Sequence, residues 1–264
     1  MKNKTLRDVT TLLVGVIIGG LLAFVPAHAN PIDDNCPDHV TWGAPQIAKE
    51  GDNQYICRLQ YAVNYSYRTK VAHFVVERVE KAELVKETHR KDDFREDKDV
   101  PEKYRATLED YAKSGYDRGH IAPAADFSFS KEAMSESFFL TNMMPQDPGN
   151  NRGIWKLTES YVRQWAEKYG EVYVISGPYY SPKATKSIGN GVLVPDFVWK
   201  IVIDKKRGKS IAFLFPNEKL SKDKLADYIT SIDKIEELTK IDFSPALPKD
   251  MDKLESAVGN LKDW

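Results

Sequence analysis

Residues 116–163 read YDRGHIAPAADFSFSKEAMSESFFLTNMMPQDPGNNRGIWKLTESYVR. An arginine and a glycine precede a histidine, a long polar loop intervenes, and an asparagine pair opens a segment of helical spacing. If Asp117–His120 is a strand, alternation puts Arg118 and His120 on one side and Asp117 on the other. Asn150 and Asn151 follow Pro148-Gly149, where an asparagine ordinarily caps a helix. With two in a row, one can cap while the other offers its amide oxygen to a cation. In the helix that follows, Leu157, Tyr161, Trp165 and Ala166 are spaced to form the apolar face. Glu159 comes a little over two turns after Asn151, so the two project from a similar face. Arg163 lies four residues beyond Glu159, the spacing of a salt-bridge partner.

These residue types suit phosphodiester hydrolysis. That reaction needs a base to take a proton from water, cations to offset charge in the transition state, and stabilisation of the leaving oxygen. A neutral imidazole at His120 accepts a proton near pH 7. The Arg118 guanidinium beside it can hold a phosphate, and Gly119 permits close approach of backbone or substrate. The amide of Asn151 suits Mg²⁺, which keeps several waters and takes few protein ligands. Each residue also has a plain structural reading: a core histidine, a helix cap, a solvent-exposed Glu159–Arg163 ion pair. The combination argues for a site.

Working outward, QYAVNYSYRT (60–69) and VAHFVVERV (71–79) predict an antiparallel strand pair turning at Arg68-Thr69-Lys70. The charged stretch 83–111 predicts a solvated loop with a short helix after Pro101. Downstream, EVYVISGPYY (171–180), FVWKIVID (197–204) and KSIAFLFPN (209–217) predict three more strands, the last two joined by a turn at Lys205–Gly208. Thr185–Pro195 reads as a loop, 220–239 as mixed helical and extended pieces, and Met251–Leu261 as a final helix. The fold class is α+β, a largely antiparallel central sheet flanked by helices.

The N-terminus carries Lys2, Lys4 and Arg7, then an apolar run from Leu12 to Phe24, then Ala27-His28-Ala29. This is the pattern of a secretory signal peptide cleaved after Ala29. The apolar run is short for an uncleaved anchor, which needs about 20 residues. Residues 1–29 are therefore expected to be the signal and 30–264 one domain, exported to the periplasm or beyond, with no stable membrane insertion after cleavage. Cys36 and Cys57 are the two cysteines of the chain. In an oxidising compartment they are expected to pair, at about 3 kcal/mol in the chain-entropy model; free thiols are the alternative. No CxxC or histidine pair points to zinc.

The formal net charge is −1, and losing residues 1–29 makes the remainder two units more negative. Composition alone does not suggest a nucleic-acid enzyme, so attraction for phosphate must be local. Arg118, Arg152, Lys156 and Arg163, with Arg90, are the candidates.

The DRGH of Asp117–His120, the TN and PQ of Thr141-Asn142 and Pro145-Gln146, and the spaced Asn151, Gly153, Trp155 and Glu159 together resemble the sugar-nonspecific DNA/RNA endonuclease family. That family belongs to the ββα-metal, or His-Me finger, superfamily. Phe94–Asp97 (FRED) further resembles endonuclease G. The resemblance covers about residues 58–245 and implies a ββα-metal active-site motif. It implies His120 as general base, Asn151 as sole direct protein ligand of one Mg²⁺ (Mn²⁺ being a candidate substitute), and Glu159 as support for the metal's hydration shell. It also implies that Arg118 and an upstream arginine, Arg90 first and Arg95 second, stabilise phosphate charge. Asn142 and Gln146 match positions near substrate. Its implied partners are DNA and RNA, double- or single-stranded, cut to 5′-phosphate products; a homodimer is compatible. The competing readings are a catalytically silent nuclease-fold protein that binds nucleic acid, and a phosphodiesterase for smaller substrates.

Overall fold

A computed structural model of the protein describes residues 36–40, 43–47, 51–251 and 253–264. The expected signal peptide lies outside the described residues. Seven strands form one antiparallel sheet: β1 (Asn53–Cys57), β2 (Tyr61–Ser66), β3 (Val71–Glu80), β6 (Glu171–Tyr179), β7 (Phe197–Asp204), β8 (Lys209–Pro216) and β9 (Ile229–Thr230). Their spatial order is β9-β8-β7-β6-β3-β2-β1. The hairpins at Arg68–Lys70 and Lys205–Gly208 form as expected.

The middle strands are apolar nearly throughout because both faces of the sheet are covered. In β7 every residue from Val198 to Asp204 is buried. On one face Val63, Val75, Val174, Val198, Val202 and Phe213 pack under Trp155 and Val162. On the other, Phe74, Ile175, Trp199, Ile201 and Ile203 pack against Ile232 and Ile235 of helix α4 (Ile232–Thr239) and against Phe243 and Leu254.

Strands β3 and β6 are sheet neighbours, yet residues 81–170 lie between them. That excursion holds α1 (Leu108–Tyr111), a hairpin of β4 (Asp117–His120) and β5 (Met143–Gln146), α2 (Lys131–Glu136) in the hairpin's long connection, and α3 (Lys156–Tyr169). Hairpin then helix is a ββα unit, laid across one face of the sheet. Helix α3 stops where Gly170 adopts φ +100°, a conformation favoured by a residue without Cβ.

Three local expectations change. The chain at Thr185–Pro195 is not a plain loop, since Ser187–Ile188 pairs with Val192–Leu193. The final helix is broken into short turns at Lys249–Met251, Lys253–Ser256 and Leu261–Asp263. The buried face of α3 is Thr158, Val162, Trp165 and Ala166, so Leu157 and Tyr161 sit at its edge. Cys36 and Cys57 are bonded, with Cα atoms 5.8 Å apart.

Candidate active site

Arg118 and His120 leave β4 on the same side, as strand alternation requires, and line a cleft of about 230 Å³ with Arg90, Asn151, Arg152, Lys156, Glu159 and Arg163. Five cationic side chains and one carboxylate thus converge on one cleft of a nearly neutral chain. This is the local phosphate affinity that the net charge demanded.

His120 is buried, its ring set edge-on against Phe138 at 4.9 Å and tilted against Phe94 at 5.6 Å. Its backbone carbonyl accepts from Trp155 Nε1 at 3.1 Å, which ties β4 to the start of α3. Burial, then the charges of Arg90 and Arg118, push the imidazole pKa down to about 3. The ring is therefore neutral at pH 7, and its Nε2 has no hydrogen-bond partner. Phe94 also carries the Arg118 guanidinium over its face at 4.3 Å. The FRED stretch thus acts through its phenylalanine, wedged between the arginine and the histidine.

Asn151 donates its amide N–H to Asp117 Oδ2 at 2.8 Å. Asp117 was expected to serve only on the far side of the strand. It sits at the end of the hairpin opposite Gln146, and the chain turns back there into α3, so its carboxylate reaches both Asn151 and Arg152. The cap of this helical segment is neither asparagine. Asp147 accepts from the backbone N–H of Gly149 and Asn150. Asn150 instead accepts from Gln146 Nε2 and donates to the Pro216 carbonyl, each at 2.8 Å. Between the cap and α3 the chain makes a π-turn over Asn151–Trp155 with a kink at Gly153, a feature frequent at functional sites.

Four expected contacts are corrected. Asn142 and Gln146 do not face substrate, because both are fully buried. Asn142 pins the segment after β4 by accepting from Ala122 N–H and donating to Ala122 and Ser137 carbonyls. Gln146 lies so close on Gly119 that a Cβ there would collide with its side chain, so the glycine makes room for protein, not substrate. Arg152 is exposed but paired through Nε with Asp117 at 2.8 Å. Arg163 does not pair with Glu159; it donates to the buried Asp126 at 2.6 Å. Of the two upstream arginines, Arg90 lines the cleft and lies 5.1 Å over Phe138. Arg95 is turned away, donating to the Ser135 carbonyl and stacked 3.9 Å over Phe139.

Glu159 stands half-buried at the cleft wall. Burial raises its pKa to about 7, opposed by Lys200 and Arg163 and reinforced by Asp126. Sequence reasoning missed Asp126, Phe94 and Phe138. It also missed Lys200 and Glu77, buried charges on the sheet below. A lysine inside the apolar run FVWKIVID was the available signal for one of them.

A hairpin-and-helix unit on a large antiparallel sheet is the ββα-metal fold of endonuclease G. The crystal structure of the EndoG/EndoGI complex aligns with a TM-score of 0.72 and 26% identity, covering 85% of this chain and 96% of that one. The chain belongs to the DNA/RNA non-specific endonuclease family, whose sequence profile matches residues 41–250. It is 34% identical over 268 residues to a protein named Nuclease from Nostoc sp., covering 94% of this chain and 96% of that protein. It is 32% identical over 214 residues to human mitochondrial Nuclease EXOG, covering 74% of this chain and 58% of the human protein. The chain spans 57% to 66% of the length of the four vertebrate EXOG nucleases it matches. No helix among the described residues is long and apolar enough to cross a membrane.

Proposed function

We propose that this chain is an exported, Mg²⁺-dependent endonuclease that hydrolyses phosphodiester bonds of DNA and RNA to 5′-phosphate products. The observation that carries the reading is the cleft itself: a neutral, buried imidazole beside Arg118, Arg90 and the amide of Asn151. The donor set fits a hard cation. Asp117 holds the amide nitrogen of Asn151, leaving a neutral oxygen, with Glu159 lining the same cleft, and such oxygen donors suit Mg²⁺ or Mn²⁺. When bound, the cation supplies a Lewis acid that offsets charge on the phosphate and on the leaving 3′ oxygen.

His120 takes the proton from the attacking water. Its pKa near 3 in the empty cleft makes a weak base, but two of the causes are the charges of Arg90 and Arg118. A phosphate anion between those guanidiniums offsets both and raises the basicity of the ring, so substrate activates its own base. Arg118, with Arg90 above it, clamps the phosphate. Arg152, Lys156 and Arg163 add positive potential along the cleft. Contacts to phosphate carry no base information, which accounts for action on both DNA and RNA, duplex or single strand.

Export is supported by the N-terminal pattern and the Cys36–Cys57 bridge, and mass spectrometry of the exported protein should find a mature N-terminus at Asn30. Residues 30–264 would carry the whole activity as one domain. Purified mature protein should cleave plasmid DNA and RNA with Mg²⁺ and not with EDTA, and His120→Ala should lose that cleavage. No Mg²⁺-dependent cutting by the wild type would leave the silent binding protein as the better reading.

A further inference from the structure

The sheet face under α3 carries a line of polar residues that the proposed chemistry does not use. Lys200 on β7 pairs in register with Ser176 on β6, and Ser176 with Val75 on β3. Directly opposed residues share a face, and so do residues two apart on a strand, so Lys200, Ser176 and Glu77 all point towards α3. Lys200 and Glu77 are 1% and 2% exposed. The Lys200 ammonium donates to Ser176 Oγ at 2.7 Å and lies 4.5 Å over the Trp155 ring. Trp155 is one helical turn before Glu159, which places the ammonium beneath the inner side of Glu159. Asp126 and Arg163 close the cluster from the loop and from α3.

Burying this many charges costs stability that an apolar floor would not. We propose that Lys200 is a positioning residue for Glu159: its buried ammonium is the counter-charge that holds the Glu159 carboxylate at the cleft wall, with Glu77 competing for the same cation. This rests on the nuclease reading for its catalytic consequence, but not for the contact. Lys200 is the largest opposing charge acting on Glu159, while Glu77 acts mainly on Lys200. Lys156, Arg163 and Asp126 are the other charged groups facing Glu159.

The test is a pair of variants of the mature protein. Glu77→Gln/Lys200→Met removes both buried charges together, which avoids stranding either. It should fold with a Tm at or near that of the wild type, yet lose about tenfold in kcat, the scale for outer-shell supports of a metal site, with KM for DNA unchanged. Glu77→Gln alone should keep kcat within about twofold, because the cation for Glu159 remains. A folded double variant with wild-type kcat would overturn the proposal, as would equal impairment of the single variant. A readout independent of catalysis is the carbon-13 shift of the Glu159 carboxyl in metal-free protein over a pH series. Its midpoint should move to higher pH in the double variant; an unmoved midpoint would sink the proposal even if the wild type cuts nothing.

Discussion

The two faces of the sheet are built from the same strands and to different ends. Along β7, Trp199, Ile201 and Ile203 point to the α4 side, where the core cluster is aliphatic and aromatic. Val198, Lys200 and Val202 alternate onto the α3 side, where the apolar floor is interrupted by Lys200, Ser176 and Glu77. The first face stabilises the sheet. The second gives up part of that stabilisation by holding charges out of water, and it does so under the helix that presents Glu159. One strand thus shows where burial serves the fold and where it serves the cleft.

Two truncations should pull the faces apart most widely. His120→Ala should lower the cleavage rate by about 10²–10⁴-fold, the usual worth of a general base. Its loss of Tm should be modest, because the ring contributes an unpartnered buried nitrogen. Trp199→Ala should do the reverse. It removes a fully buried indole that stacks on Phe243 at 4.8 Å and donates to the Pro178 carbonyl, at about 3–5 kcal/mol. The folded fraction should cut at the wild-type rate. Urea unfolding and specific activity, measured on both variants, decide this; a Trp199→Ala protein that is stable but slow would show that the faces are not separable.

A smaller effect is expected at the hairpin's end. Asp117→Ala frees the Asn151 amide to rotate and releases Arg152. The half-saturating Mg²⁺ concentration should rise about 10- to 100-fold, as for other groups that orient a ligand, while KM for DNA changes little. A rise in KM at constant Mg²⁺ requirement would instead mean that Arg152 reaches phosphate.

The catalytic face was the more legible one in the sequence, for a physical reason. Chemistry demands particular residue types at short spacings, so the DRGH of β4 and the Asn151–Glu159 interval announce themselves. The strands were readable from β-branched runs such as VAHFVVERV. What alternation and helical period could not supply was partner choice. Arg163 is four residues from Glu159, yet binds Asp126, 37 residues away in sequence, because the connection after β4 brings that carboxylate inside. Asn142 and Gln146 occupy motif positions beside the cleft, but their side chains satisfy buried backbone and each other's neighbours. Motif membership does not separate a residue that touches substrate from one that shapes the loop around it.

The smallest effect turns on the charge that the catalytic face tolerates. The Glu159 pKa rises from 4.5 to about 7 in the fold, chiefly through burial. Below pH 4.5 the carboxyl is protonated whether the chain is folded or not, and nothing is lost. Between pH 4.5 and 7 the unfolded chain releases the proton while the folded chain retains it, so stability declines as pH rises. Above pH 7 the folded chain carries the full cost of a half-buried carboxylate. Glu159→Gln has no such proton to lose. Its stability should match the wild type at pH 4 and exceed it above pH 7 by about 1–2 kcal/mol after discounting for solvent, while its nuclease activity falls. A stability difference that stays flat across the pH range would mean that Lys200 and Arg163 already compensate Glu159 completely. The catalytic face would then be no more costly than the apolar one.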